Sequence, residues 1–217
     1  MQVQDALRAR RTVRSFADAD VPDDLLREVL GAALAMPHAG NTYDWRALVL
    51  RRPRLTHPRW AEIYAAVLHQ DYLAEAPVLV VWAVQPEWWA EHYRANVQRI
   101  LDLGLIDLTR AGQLLETLDT PRPHEDLLPG LVGEAMLGVG AVLLAATDLG
   151  LGSALAACDP AALAAALEIP PEAHVMPFGV LALGYPGAPP PGGPAAAAEK
   201  PKLGEVCYDG AWGRPLA

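Results

Sequence analysis

Three arginines and a hydroxyl fall within five residues near the start of the chain, in Arg10-Arg11-Thr12-Val13-Arg14-Ser15-Phe16. Guanidinium forks match phosphate oxygens bidentately, and a neighbouring hydroxyl supplies a further donor. In an extended segment Arg10, Thr12 and Arg14 share one side, and Arg11 and Val13 share the other. One side can therefore face a single anion, although a solvated basic turn would have the same composition. No rival constellation assembles from spacing. The histidines at 38, 57, 69, 92, 124 and 174 are scattered, and Cys158 and Cys207 lack metal-ligand spacing. Neither a Ser-His-Asp nor a Cys-His nor a paired-carboxylate arrangement can be drawn. Gly150-Leu151-Gly152-Ser153 is too short for a dinucleotide fingerprint and follows a helix instead of opening one, and no Walker-type loop exists. This pattern suits a bound cofactor that brings its own reactivity, with no metal.

The background to that cluster is acidic. A formal net charge of -9 argues against nucleic acid, whose backbone calls for excess Lys and Arg. With 217 residues, 52% of them hydrophobic, the chain can bury a sizeable core in one domain or two. No disulfide framework is present, Met1-Gln2-Val3-Gln4-Asp5 is not an apolar leader, and apolar runs are broken by charges, Pro or Gly. The expectation is a reduced, soluble, cytoplasmic protein.

The elements that must position the cluster follow in order. Acidic residues at 18–24 lead into a helix carrying Leu25, Leu26, Val29, Leu30 and Ala33, which Pro37 should end. His38-Ala39-Gly40-Asn41-Thr42 is a loop feeding a strand over 45–50. A helix is expected over 60–73, and 76–84 is the clearest buried strand, β-branched and uncharged. Residues 86–123 are charged and helical, either a lid or two peripheral helices. A long helix over about 125–149 is apolar or small on every face, so it should be buried against its own chain or a partner. Residues 153–158 read as a short strand or loop, 160–167 as a small Ala-rich helix, and 175–184 as a buried strand. Residues 186–198 form a Pro/Gly/Ala-rich arm, and the tail beyond still carries Leu203, Val206, Tyr208 and Trp212.

Taken together these residues resemble the flavin-dependent nitroreductase family. The basic stretch is similar to its N-terminal Arg-Arg-Ser-x-Arg-x-Phe signature, and residues 37–45 resemble its Pro-Ser-x-x-Asn-x-Gln-Pro-Trp loop. Ala76-Pro77 before an apolar strand, the turn Leu149-Gly150-Leu151-Gly152-Ser153, and Lys200-Pro201-Lys202 followed by Trp212 complete the order. The resemblance implies an α+β nitroreductase-like fold over 1–217, with a central mostly antiparallel sheet flanked by helices and a long buried interface helix. It also implies an intertwined homodimer holding FMN at the subunit interface, with NAD(P)H as co-substrate.

By the same resemblance Arg10, Arg11, Thr12 and Arg14 would hold the phosphate and ribityl chain. Pro37, His38, Ala39 and Asn41 would run beside the ring, and Gln70 would reach its pyrimidine edge. The backbone of Ala156 and Ala157 would approach N5 and O4, and Lys200 or Lys202 would add charge at the phosphate. For Asn41 a turn residue, and for Gln70 an exposed helix position, are open alternatives. The departures are His38 for Ser, Tyr43 for Gln and Asp44 for Pro. They are expected near the cofactor or its mouth as substrate-side residues: Tyr43 and Asp44 would narrow the mouth and repel anionic acceptors, and His38 could donate to the flavin or a substrate, with an exposed loop histidine the preferred reading. The implied activity is ping-pong reduction of a nitro, quinone or enone compound through flavin N5. An FMN-dependent dehydrogenase or oxidase of peptide-derived or heterocyclic substrates, and a flavin-binding protein without turnover, are the alternatives.

Overall fold

A computed structural model of the chain describes residues 2–119, 123–188 and 200–215. Strands β1 (Trp45–Arg51), β2 (Val78–Val84), β3 (Gly152–Ala156) and β4 (Met176–Gly184) form one sheet in the order β1-β2-β4-β3. Every neighbouring pair is antiparallel, with Leu48 opposite Val81, Val80 opposite Leu181 and Ala154 opposite Ala182. The helices are α1 (Val3–Ala9), α2 (Asp23–Gly31), α3 (Pro53–Thr56), α4 (Trp60–Ala66), α5 (Asp71–Glu75), α6 (Pro86–Asp102), α7 (Leu108–Asp119), α8 (His124–Asp148), α9 (Pro160–Ala166) and α10 (Leu203–Val206).

All seven residues of β2 are buried, and this explains its lack of polar alternation. Val78, Val80 and Trp82 face a layer containing Leu26 and Val29 of α2 and Val139, Val142 and Ala146 of α8. Leu79 and Val81 face the opposite layer, with Ile63 and Ala66 of α4, Leu73 of α5 and Leu163 of α9. Burying a Val or Leu side chain contributes about 1.5–3 kcal/mol, so the two layers hold the sheet from both sides.

The long helix α8 has the expected bounds to within a residue. It is long and apolar enough to cross a membrane by length and composition alone. Its stripe Leu131, Ala135, Val139, Val142 and Ala146 packs into the chain's own core, however. Gly150 ends it in the left-handed region (φ 77°), and Leu151 N donates to Ala146 O at 2.7 Å.

One expected element divides. The helix over 60–73 breaks between α4 and α5, where Leu68 and His69 both adopt positive φ. His69 N donates to Tyr64 O at 3.0 Å, closing the turn and bringing Val67 and Leu73 into one core cluster. The Pro/Gly/Ala arm begins by pairing: Pro186 bridges Phe16, and Gly187 N donates to Ser15 O at 2.8 Å. Residues 189–198 of that arm lie outside the described residues.

Edge strand β3 is covered by the N-terminal segment. Thr12 forms a parallel bridge with Ser153, and Val13 N donates to Ser153 O at 2.9 Å. The approach requires glycine at 152, where an added Cβ would lie 2.8 Å from three Val13 side-chain carbons. Gly152→Ala should therefore lose roughly 1–3 kcal/mol of stability by overpacking. Val13→Ala in the same chain should recover part of that loss in urea melts. A fully stable single variant would show that the segment is not seated there.

Candidate functional site

The basic segment is built as the exit of α1. Arg10 N donates to Ala6 O at 2.8 Å, and the chain then extends along β3. Val13 turns toward Gly152, while Thr12 and Arg14 are exposed, as the alternation predicts. Arg11 differs from expectation. Its Nη1 donates to Arg8 O at 2.5 Å and to Arg10 O at 2.9 Å. Its guanidinium thus caps the carbonyl end of α1, where free acceptors and the helix dipole favour a cation. Arg10 is half-buried beside it.

Because the bridge is parallel, the segment passes Thr12 in the direction in which β3 runs toward Ala156 and Ala157. Ala156 is buried opposite Val180, and Ala157 is exposed just beyond the strand. Ser153 Oγ is buried with no hydrogen-bond partner. The Arg14 guanidinium lies 5.7 Å from the Tyr72 ring centre, within cation–π reach. Burial raises the Tyr72 phenol above its ordinary value, with Arg14 offsetting part of the effect. Tyr72 Oη donates to Gln70 Oε1 at 2.5 Å, and Gln70 Nε2 donates to Val67 O at 3.2 Å. One Gln70 N–H is left uncommitted. The structure thus brings Arg14 and Gln70 together through Tyr72, which sequence reading missed because a tyrosine in a short helix carries no motif. Lys200 and Lys202 lie on the exposed tail, where Lys202 N at the start of α10 donates to Glu205 Oε2 at 3.1 Å. Among the described residues neither lysine has a hydrogen bond or ion pair to the basic segment.

The second part of the site is the loop over 37–44, gripped from three sides. Pro37, Ala39 and Asn41 are exposed. Gly40 (φ 60°) and Asn41 (φ 54°) are both left-handed, so the turn itself accounts for an asparagine at 41. From α8, Glu134 Oε2 accepts from Ala39 N at 3.0 Å and stands 3.0 Å from His38 Nδ1. From α6, Asn96 Nδ2 donates to Gly40 O at 2.7 Å and Asn41 O at 3.0 Å, and Trp88 Nε1 donates to Thr42 O at 3.1 Å. From β1's entry, Asp44 Oδ1 lies 3.1 Å from His38 Nε2. That contact is an ion-pair distance without hydrogen-bond alignment, and both Asp44 oxygens and His38 Nε2 have no hydrogen-bond partner.

Two expectations, those for His38 and Asp44, are corrected here. The His38 side chain is only 2% exposed, held between two carboxylates and not free in a loop. Asp44 is 0% exposed and cannot repel acceptors at a mouth. Tyr43 is half-buried and spends its hydroxyl on Leu34 O at 3.2 Å. Glu134, Trp88 and Asn96 escaped sequence reading. A lone carboxylate in the apolar run of α8 was the one available signal. Next to the loop, Asn41, Tyr93, Val97, Ile100, Leu103 and Leu114 border a cavity of about 430 Å³, a size that suits a small organic molecule.

Sheet order, flanking layers and the long helix define a nitroreductase-like α+β protein. The nitroreductase family model matches residues 7–185, spanning both the basic segment and the loop, and the chain belongs to that family of oxidoreductases. By sequence it is 29% identical over 180 residues to an NADH dehydrogenase of Thermus thermophilus, covering 82% of this chain and 83% of that one. A chloronitrobenzene nitroreductase of Comamonas testosteroni is 40% identical over 48 residues, 22% of this chain and 21% of that one. By fold it matches ydfN of Bacillus subtilis with a TM-score of 0.77 at 12% identity, covering 95% and 97% of the two chains. The enone reductase CLA-ER of gut-bacterial fatty acid saturation matches with a TM-score of 0.69 at 20% identity, covering 91% and 94%.

Burial pushes the Asp44 carboxyl from 3.8 up to about 6; the His38 and Arg46 charges oppose that rise and the Glu134 charge adds to it. The folded state therefore holds a proton that the unfolded chain releases at lower pH. Stability from this group is present below about pH 4 and is lost as pH rises through about 6, by on the order of 1–3 kcal/mol. Urea midpoints should fall over that interval for the native chain, while Asp44→Asn should flatten the slope. An equal slope in both would assign the titration to other groups.

Proposed function

We propose that this protein is an NAD(P)H-dependent oxidoreductase that holds FMN non-covalently and reduces small electron-poor organic compounds of the nitro, quinone or enone type. The observation that carries the reading is the convergence at the β3 edge. Exposed Thr12 and Arg14 follow the Ser153 bridge, and Arg14 meets Gln70 through Tyr72. The donor set fits the cofactor. Arg10, Thr12 and Arg14 would hold its phosphate end, the remaining Gln70 N–H would meet a ring carbonyl, and small Ala156 and Ala157 leave room for backbone amides to approach. The orphaned Ser153 hydroxyl beneath the segment is a further donor of the kind a ribityl or phosphate oxygen would use. FMN, when bound, supplies the ring that accepts and returns a hydride. The chain's own residues then bind, orient and exclude water, which accords with the lack of a side-chain acid–base pair in the basic segment. Pro37, Ala39 and Asn41 would flank the ring as the exposed rim of the gripped loop. The cavity beyond Asn41, mostly apolar with Asn96 and Arg99 on its lining, is of a size to take a small organic acceptor.

The same reading makes the protein a homodimer. Met136 and Leu137 of α8 are exposed at 37% and 45%, and a Cβ on neighbouring Gly133 or Gly140 would meet nothing within 4 Å. That open face, together with exposed Leu203, Val206 and Trp212 of the tail, is apolar surface of the kind a second copy covers. Light scattering at micromolar concentration should return twice the chain mass, and Leu137→Glu should shift it toward the monomer. A monomeric native chain would remove this assignment.

The purified protein should be yellow and should bleach under argon on addition of NADH or NADPH. A yellow protein that does not bleach would instead point to an oxidative enzyme or a flavin store. Arg14→Ala should weaken flavin binding by roughly 2–5 kcal/mol, thirtyfold to several-thousandfold. Arg11→Ala, whose side chain only caps α1, should weaken it far less. Stoichiometric flavin retained by Arg14→Ala through gel filtration would overturn the phosphate assignment.

A further inference from the structure

His38 and Asp44 of the loop over 37–44 meet Glu134 of α8 in a cluster of three titratable side chains, the first two of them buried. His38 presents Nε2 to Asp44 at 3.1 Å and Nδ1 to Glu134 at 3.0 Å, so each ring nitrogen faces a carboxylate oxygen. Thr42 Oγ1 stands 3.0 Å from Nδ1 and 3.2 Å from Ala39 O, and its one hydrogen can go to either. The two charged neighbours of the imidazole are both carboxylates. With two protons shared among the three groups, as a cationic ring or as a neutral ring beside a protonated carboxyl, the cluster carries one net negative charge. Remove one of those two protons and two carboxylates stand on either side of a neutral ring, with Asp44 fully buried, which is repulsive.

We propose that His38, Asp44 and Glu134 are positioning residues forming a two-proton latch, closed when protonated, that fixes the loop backbone beside the proposed ring site and releases it when a proton is lost. The latch acts on the backbone directly, since the same Glu134 Oε2 that meets His38 also accepts from Ala39 N. The other charged or titratable groups facing the cluster are few. Arg46 of β1 lies close enough to lower the Asp44 carboxyl's affinity for its proton, and the Tyr43 ring centre is 5.6 Å from that of His38. Tyr43 directs its hydroxyl away, to Leu34 and Met36 carbonyls. From α6, Tyr93 presses on Gly40 and Asn96 holds its carbonyl, so the far side of the loop stays anchored when the near side lets go. The proton retained by Asp44 up to about pH 6 agrees in sign with a latch that opens on the alkaline side. What opening does to the active site rests on the flavin reading; the latch itself does not.

Hydrogen exchange of the Ala39 amide, corrected for intrinsic rates and referred to amides of β2, tests this on the protein as purified. Protection should fall about tenfold or more as pH rises from about 4 to about 6, the interval set by the Asp44 carboxyl, because loss of one linked proton gives up to tenfold per pH unit. Asp44→Asn and Glu134→Gln are near-isosteric, and an amide can donate to or accept from a ring nitrogen. Both should keep Ala39 protected and make its protection independent of pH. A flat profile in the native chain overturns the proposal, as does an unchanged slope in the Asn and Gln variants. A colourless protein with the predicted profile would defeat the flavin reading and leave the latch standing.

Discussion

The constraint on which the rest depends is the burial of β2 on both faces. A strand with no solvent side needs apolar cover above and below. α2 and α8 cover one face, and α4, α5 and α9 cover the other. With both faces occupied, ligand-binding surface is left at the edges and ends of the sheet. The polar residues with unspent donors gather there: Thr12 and Arg14 along β3, Gln70 at the approach to β2, and the loop at the entry to β1.

The β3 edge shows how one contact serves both stability and site geometry. An exposed edge strand invites pairing with other chains, and here the chain's own basic segment occupies it. Seating that segment needs a glycine at 152 and an apolar residue at 13, and the alternation then leaves Thr12 and Arg14 outward. The cations are thus placed by the same backbone pairing that protects the edge. Arg11 stands one residue out of phase and is consumed in capping α1.

How much of this was legible in the sequence follows the range of the forces involved. Strands β2 and β4 and helix α8 were legible because their periodicity or uniform apolarity reports burial directly. The break between α4 and α5 was not, since nothing local in Leu68 or His69 demands positive φ. Tertiary packing of Val67 and Leu73 into one cluster decides it. In the candidate site, types and alternation single out Arg10, Thr12 and Arg14 because they lie in one short segment. The contacts of Gln70 through Tyr72, and of the loop through Asn96, Trp88 and Glu134, join segments dozens of residues apart. No spacing rule reaches that far.

The loop also shows why departures from a family pattern should be read as a set. Taken singly, His38, Tyr43 and Asp44 look like three polar changes at the mouth of a site. In the fold His38 and Asp44 are one ion-pair contact in the interior, and Glu134, ninety-six residues beyond His38, belongs to it. Putting serine back at 38 alone would remove one of the two neighbouring positive charges that offset the burial of Asp44, the other being Arg46. Putting proline back at 44 alone would leave His38 with only Glu134 as a charged neighbour. Each substitution is better accommodated in the presence of the other, and a cluster of titratable groups beside the loop backbone makes its shape sensitive to protons.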